Sequence, residues 1–213
     1  MATIHQINEF VECAHRVGRA GLTICSSGNL SWRIGDEVLI SGTGSWVPDL
    51  KPDNVAVVRL ADGALLNGVR PSMESGFHLE VLRRRPEMNV VLHFQSPYAT
   101  ALACRKSRPA DLNFTAEVPI HVGSPIPFIP YFRPGSPELA SHVVEAMVGQ
   151  GCNSVMLCKH GQVVCGEDFN HAFERAMFFE MACRIAVLNG DDVDPLTAAE
   201  IDDLAPYIQG KKH

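Results

Sequence analysis

Val90-Val91-Leu92-His93-Phe94-Gln95-Ser96-Pro97 is the stretch on which the architecture turns. Val90 to Phe94 is an apolar run of strand length. Ser96 followed by Pro97 is a helix start, with serine at the cap and proline, whose missing N–H has no helical partner there anyway, at the first helical position. A strand therefore feeds directly into a helix and carries a histidine near its end. Side chains two apart on a strand share a face, so His93 and Gln95 project together if the strand persists that far.

The pattern on either side alternates helix and sheet. Ile7, Phe10, Val11, Ala14 and Val17 recur at helical spacing, predicting an amphipathic helix that ends near Gly18 or Gly21. Val38-Leu39-Ile40 and Val55-Ala56-Val57-Val58 read as strands, with turns at Gly35-Asp36 and Asp62-Gly63. Pro71-Ser72 opens a helix bearing Phe77, Val81 and Leu82 on one face, and Pro86 stops it. Beyond the proline-rich crossing from Pro119 to Pro134, Ser136-Pro137-Glu138 starts a helix with Leu139, Val143 and Met147. Val155-Met156-Leu157 and Gln162-Val163-Val164-Cys165 form strands around His160-Gly161. Asp168 begins the longest helix, with Ala172, Ala176, Phe179 and Cys183 on its face, and Thr197 with Glu200 makes a capping box for a last short one.

No repeat, low-complexity tract or linker divides the chain, so residues 1–213 are expected to form one layered α/β domain. Tight turns join the early strands, which predicts a mainly antiparallel sheet with helices on both faces rather than a Rossmann fold, and no glycine fingerprint for a dinucleotide is present. A formal charge of −6 without a long basic run gives no field to hold nucleic acid or an anionic membrane. The N-terminus lacks a signal-peptide pattern and no apolar run reaches the length of a membrane span, which points to the cytoplasm. Seven cysteines without a CxxC pair read as buried reduced thiols.

Three separated groups can carry metal chemistry: Glu74, His93 and His160. Alone, Glu74 is explained equally well by the helix dipole, and His93 alone reads as a hydrogen-bonded core histidine. Together they make a plausible ligand set, with Gln95 beside them as a weaker amide ligand or a holder of metal-bound water. His78, one helical turn after Glu74, is expected to face outward or to stand behind the site, and His121 is a minor candidate for a substitute ligand. His5, His15, His142, His171 and His213 read as surface residues. Ser26-Ser27-Gly28-Asn29, Ser41-Gly42-Thr43-Gly44-Ser45 and Pro71-Ser72 are small-residue segments whose N–H and hydroxyl donors suit a phosphate.

Ser27-Gly28-Asn29-Leu30-Ser31, Ser41-Gly42-Thr43-Gly44, Pro71-Ser72-Met73-Glu74, His93-Phe94-Gln95-Ser96-Pro97-Tyr98-Ala99-Thr100-Ala101, Pro130-Tyr131 with Pro134-Gly135-Ser136, and His160-Gly161 occur in an order that resembles the class II aldolase/adducin family. The resemblance is strongest to members that cleave L-fuculose 1-phosphate. It implies a three-layer α/β/α domain with a mainly antiparallel central sheet, assembled as a homotetramer with active sites between subunits. It makes His93 and His160 ligands of Zn2+ or another divalent metal, puts Gln95 where the family has a third histidine, and makes Glu74 the acid/base that also touches the metal. Gly28, Asn29, Thr43, Gly44 and Ser72 would line the phosphate pocket. Tyr131, with Tyr207, would be a proton donor reaching a neighbour's site. Met73 stands where the family has a serine. The implied reaction is reversible cleavage of a ketose 1-phosphate, a small-molecule sugar phosphate, to dihydroxyacetone phosphate and an aldehyde through an enediolate. Alternatives on the same fold are a pentulose-phosphate 4-epimerase, a sugar-phosphate dehydratase or decarboxylase, and a non-catalytic protein like the adducin head.

Overall fold

The structure, a computed structural model, describes residues 2–208. Val90–Phe94 forms strand β4, the middle of a seven-stranded sheet ordered β3-β2-β1-β4-β7-β6-β5. The other strands are β1 (Asn29–Ile34), β2 (Glu37–Ser41), β3 (Val55–Arg59), β5 (Phe128–Ile129), β6 (Ser154–Leu157) and β7 (Gly161–Gly166). Every neighbouring pair is antiparallel except β5 and β6. The register sets Asn29 of β1 and Val163 of β7 on either side of His93.

Alternation along β4 divides the molecule into two cores. Val90, Leu92 and Phe94 point to the face covered by α1 (Ile4–Arg19), α3 (Pro97–Ala103) and α5 (Phe169–Asn189), where Phe10, Val17, Leu102 and Phe179 are buried. Val91 points the other way, into the layer with Phe77, Val81 and Leu82 of α2 (Ser75–Arg84) and Leu139 and Val143 of α4 (Pro137–Val144). His93, one position from Leu92 and from Phe94, shares the α2 face. Burying an apolar side chain is worth roughly 1.5–3 kcal/mol, so a one-residue slip of β4 would exchange that gain on both faces and remove the histidine from the site. The layered α/β reading holds, with the antiparallel character as expected.

Several local readings differ from the structure. Strand β1, which flanks β4 on one side and is absent from the expectations above, alternates polar and apolar residues, and its Asn29 and Ser31 face a buried site rather than solvent. The α2 helix begins at Ser75, not at Pro71-Ser72. Pro71 bridges Gly42, and the Ser72 N–H donates to the Ser41 carbonyl at 3.1 Å, which holds these two residues against β2 before a turn at Met73-Glu74 leads into the helix. The helix bearing Met147 leaves α-helical geometry at Glu145 for a wider π-turn through Gly149. The capping box at Thr197 and Glu200 forms as read and starts α6 (Ala198–Asp203). Of the cysteines, Cys152, Cys158, Cys165 and Cys183 are buried, whereas Cys25 and Cys104 are exposed.

The start of α3 is the most instructive departure. Ser96 occupies the cap position but makes no capping bond to its own helix. Its hydroxyl donates to Glu180 Oε2 on α5 at 2.6 Å, and that carboxylate also accepts the N–H groups of Tyr98 at 2.9 Å and Ala99 at 2.8 Å. A negative charge is thereby set against the free donors of a helix start, supplied from another helix. Glu180→Ala should lower the free energy of unfolding by about 1–3 kcal/mol, since it leaves partly buried donors without an acceptor. Urea denaturation checks this, and an unchanged midpoint would mean that water replaces the carboxylate without cost.

Candidate metal centre

Glu74, His93 and His160 meet at the end of β4. One ligand atom of each lies within 4.8 Å of the others. Glu74 sits at the cap position of α2 yet its carboxylate makes no capping bond. At 6% exposure it is no solvated helix-end charge: it points inward, with Oε2 3.3 Å from His93 Nε2 and Oε1 3.7 Å from His160 Nε2. His160 closes the three-residue connection between β6 and β7. There Lys159 adopts a left-handed φ of 59°, a conformation unfavourable for a residue with a Cβ. Gly161 is required beside it, because a Cβ there would lie 2.4 Å from the Phe94 carbonyl and 2.8 Å from the Gln95 side chain.

Hydrogen bonds fix which imidazole nitrogen faces the centre. His93 Nδ1 lies 2.8 Å from the Gln162 carbonyl of the paired strand β7. A carbonyl only accepts, so Nδ1 carries the proton and Nε2 of neutral His93 presents a lone pair towards Glu74. Two acceptors 3.3 Å apart repel unless a proton or a cation lies between them. His93 Nε2 and Glu74 Oε1 are also both buried and without a hydrogen-bond partner in the described residues. Orphaned atoms of this kind cost several kcal/mol in an apolar medium, and a divalent ion would give both a partner. The donor set of one carboxylate and two imidazoles suits such an ion.

The electrostatics agree. Burial works against ionisation of Glu74, but His93, the Asn29 amide, His160 and His78 together outweigh it and hold the carboxyl below its usual range. His160 is pushed down to about 4, chiefly by burial and then by His93, with Glu74 opposing. His78 is pushed down to about 3 by burial and by His93. It is neither outward-facing nor a surface residue: it is fully buried behind Asn29, which itself donates to Glu74 Oε2 at 2.9 Å.

A cavity of about 220 Å³ opens over this centre and gathers the small-residue segments. Ser26, Ser27, Gly28 and Asn29 form one wall, Gly42, Thr43, Gly44 and Ser45 another, and Ser72 and Met73 a third, with Gln95 and Pro134 at the edge. Gly28 has φ 75° and a Cβ there would meet the His93 carbonyl at 2.7 Å, so glycine is needed for the wall to approach β4. The Ser72 hydroxyl accepts from the Glu74 N–H at 3.3 Å, which leaves its own proton free to donate. Gln95 lies one residue past the end of β4 and still lines the cavity. Tyr131 and Tyr207 do not: they are 56% and 68% exposed on this chain. His121 is also elsewhere, paired with Glu174 at 3.2 Å. Sequence reasoning had no signal for the Gln162 carbonyl, a backbone group, whereas the spacing of His78 from Glu74 did point to its place. A larger groove of about 440 Å³, lined in part by Glu9, Arg16, Trp32 and Asp168, lies away from this centre.

Residues 8–187 match the model of the class II aldolase and adducin N-terminal domain. The chain belongs to that family. It is 33% identical over 212 residues to a 3-oxo-tetronate 4-phosphate decarboxylase of Haemophilus influenzae, covering 96% of this chain and 98% of that protein. It is 31% identical over 180 residues to an L-fuculose phosphate aldolase of Methanococcus maripaludis, covering 84% and 93%. The crystal structure of YgbL from Escherichia coli superposes with a TM-score of 0.86 at 31% identity, over 94% of this chain and 97% of that one. The chain is thus a member of a superfamily of metal-dependent sugar-phosphate lyases, with a class II aldolase fold. No helix among the described residues is long and apolar enough to cross a membrane.

His78 gains a proton near pH 6.5 in an unfolded chain but only near pH 3 in the fold. Between those values the unfolded state binds more protons, so stability falls as the pH is lowered. His78→Gln keeps a donor and an acceptor but cannot titrate. Its urea midpoint should fall less than that of the unaltered protein over this interval. Equal falls would place the acid sensitivity in other groups.

Proposed function

We propose that the chain is a divalent-metal-dependent decarboxylase of a 3-oxo sugar-acid phosphate of the 3-oxo-tetronate 4-phosphate type. The observation that carries this reading is the convergence of Glu74, His93 and His160 on the floor of a cavity whose walls are Ser/Gly/Thr segments suited to a phosphate. The near-full-length likeness to the Haemophilus influenzae decarboxylase supports the choice of reaction.

In this substrate the carboxylate is β to a ketone. Breaking the bond between the carboxyl carbon and its neighbour releases carbon dioxide and leaves the electron pair as an enediolate. Protonation of that carbon gives dihydroxyacetone phosphate. An ion held by Glu74, His93 and His160 supplies Lewis acidity that stabilises the developing negative charge. Gly28, Thr43, Gly44 and Ser72 hold the phosphate, while Glu74, held by Asn29, carries a solvent-derived proton to the carbon. Asn29, which the resemblance puts in the phosphate pocket, lines the cavity and also uses its amide to hold Glu74. Gln95 stands at the cavity edge as a neutral and weaker ligand, or as the acceptor for a water on the ion.

Aldol cleavage of a ketose 1-phosphate, the reading that the sequence resemblance alone put first, passes through the same enediolate and differs in the fragment that leaves. The likeness to the Methanococcus maripaludis aldolase supports it. An aldehyde leaving group needs a second proton-transfer group on its oxygen, the part assigned to Tyr131 or Tyr207. Both lie outside the cavity of the single chain, so aldol cleavage would need them from a neighbour in the homotetramer that the resemblance implies. Loss of carbon dioxide needs no such group. Nothing in the cavity singles out a fucose-derived substrate.

Purified protein supplied with Mn2+ or Zn2+ should release carbon dioxide from 3-oxo-tetronate 4-phosphate and little aldehyde from L-fuculose 1-phosphate, with Glu74→Gln slower by about 100-fold or more. Aldehyde release without carbon dioxide would establish the aldolase instead, and turnover of neither substrate would rule out both. Gln95→His should tighten Zn2+ binding by roughly tenfold or more, because imidazole is the better zinc ligand. Calorimetric titration of the metal-free protein measures this, and unchanged affinity would show that residue 95 does not reach the ion.

A further inference from the structure

Four buried side chains form one directional hydrogen-bonded row that ends on the Glu74 carboxylate. Ser31 Oγ is 2.8 Å from His78 Nδ1, His78 Nε2 is 2.5 Å from Asn29 Oδ1, and Asn29 Nδ2 is 2.9 Å from Glu74 Oε2. The direction follows from the acidic end. An ionised carboxylate only accepts, so the Asn29 amide nitrogen faces Glu74 and its carbonyl oxygen faces His78. That oxygen also only accepts, so His78 carries its proton on Nε2. Neutral imidazole then has a lone pair on Nδ1, which must take the proton of the Ser31 hydroxyl. The other acceptor near that hydroxyl, the Val91 carbonyl, is 3.5 Å away, too far to compete.

The row exists because two periodicities match. Glu74 and His78 are four apart at the start of α2, and Asn29 and Ser31 are two apart on β1. Four residues of helix rise about 6 Å and two residues of strand about 6.6 Å, so both pairs stand opposite each other along the same line. Phe77 stacks on the His78 ring with centroids 4.6 Å apart and denies it rotation.

We propose that His78 is a positioning residue: acting through Asn29, it sets the Glu74 carboxylate with Oε2 tied and Oε1 free to face the ion. The inference rests on the metal-centre reading above but not on which lyase reaction follows. Without the Nε2–H donor, the Asn29 amide is free to turn its oxygen towards Glu74, an acceptor against an acceptor, and Oε2 loses its tie. Groups that orient a metal ligand in this way typically change metal affinity by 10–100-fold when removed.

The test combines imidazole tautomer and metal binding. Long-range proton–nitrogen NMR of the metal-free protein should find His78 as the neutral Nε2–H tautomer. Mn2+ affinity by calorimetry should fall about tenfold or more in His78→Leu and recover in His78→Gln, whose amide can donate to Asn29 and accept from Ser31. In turnover, the leucine variant should lose kcat at saturating Mn2+ with KM little changed. An Nδ1–H or doubly protonated His78, an unchanged affinity in His78→Leu, or a glutamine variant as weak as the leucine one would each overturn the proposal. If His78→Leu does not fold, His78→Phe takes its place. It keeps a ring to stack on Phe77 but has no Nε2–H for Asn29, so Mn2+ affinity should fall about tenfold or more, and full affinity would overturn the proposal. The tautomer is read without metal or substrate, so it decides this inference even if the protein turns over neither sugar phosphate.

Discussion

The antiparallel registers that set Asn29 and Val163 beside His93 are the constraint from which the site follows. Pairing with β7 brings the Gln162 carbonyl under His93 and decides which nitrogen is bare. Pairing with β1 brings Asn29 beside the same histidine and within reach of Glu74. The two apolar cores hold those registers, since the alternation that buries Leu92 on one side buries Val91 on the other. Position and protonation at the centre are thus consequences of strand pairing, not of the ligand residues alone.

The charges are arranged with equal economy. A single carboxylate faces two imidazoles, one of which burial keeps neutral well below physiological pH. The Gln95 amide lines the same cavity, and an amide in the place where the resemblance puts a third imidazole leaves the formal charge unaltered. What changes is softness and basicity: the oxygen of an amide is a poorer match to zinc than nitrogen and a closer one to harder ions such as manganese.

The sequence was most legible where one residue's neighbours determine its role. The apolar run of β4, the proline-started helices and the capping box at Thr197 are of this kind, and the family motifs supplied the ligands and the phosphate segments. It was least legible where a distant group overrides a local signal. Ser96 carries the local mark of a cap, yet Glu180 does the capping; Ser72 carries the mark of a helix start, yet Ser41 holds it against β2. His78 shows both sides, since its spacing from Glu74 placed it near the site while its tautomer depends on Asn29, 49 residues earlier in the chain.

The Glu180 clamp also orders events in time. The α3 helix has seven residues, too few to persist on its own in water, and the carboxylate that completes its start lies 81–84 residues further along the chain. A chain emerging from the ribosome can therefore display His93 and Glu74 long before the strand-to-helix joint beside His93 is secured. His160 arrives late for the same reason. A chain that ends before α5 therefore carries Glu74, His93 and His160 but lacks the carboxylate that completes the start of α3.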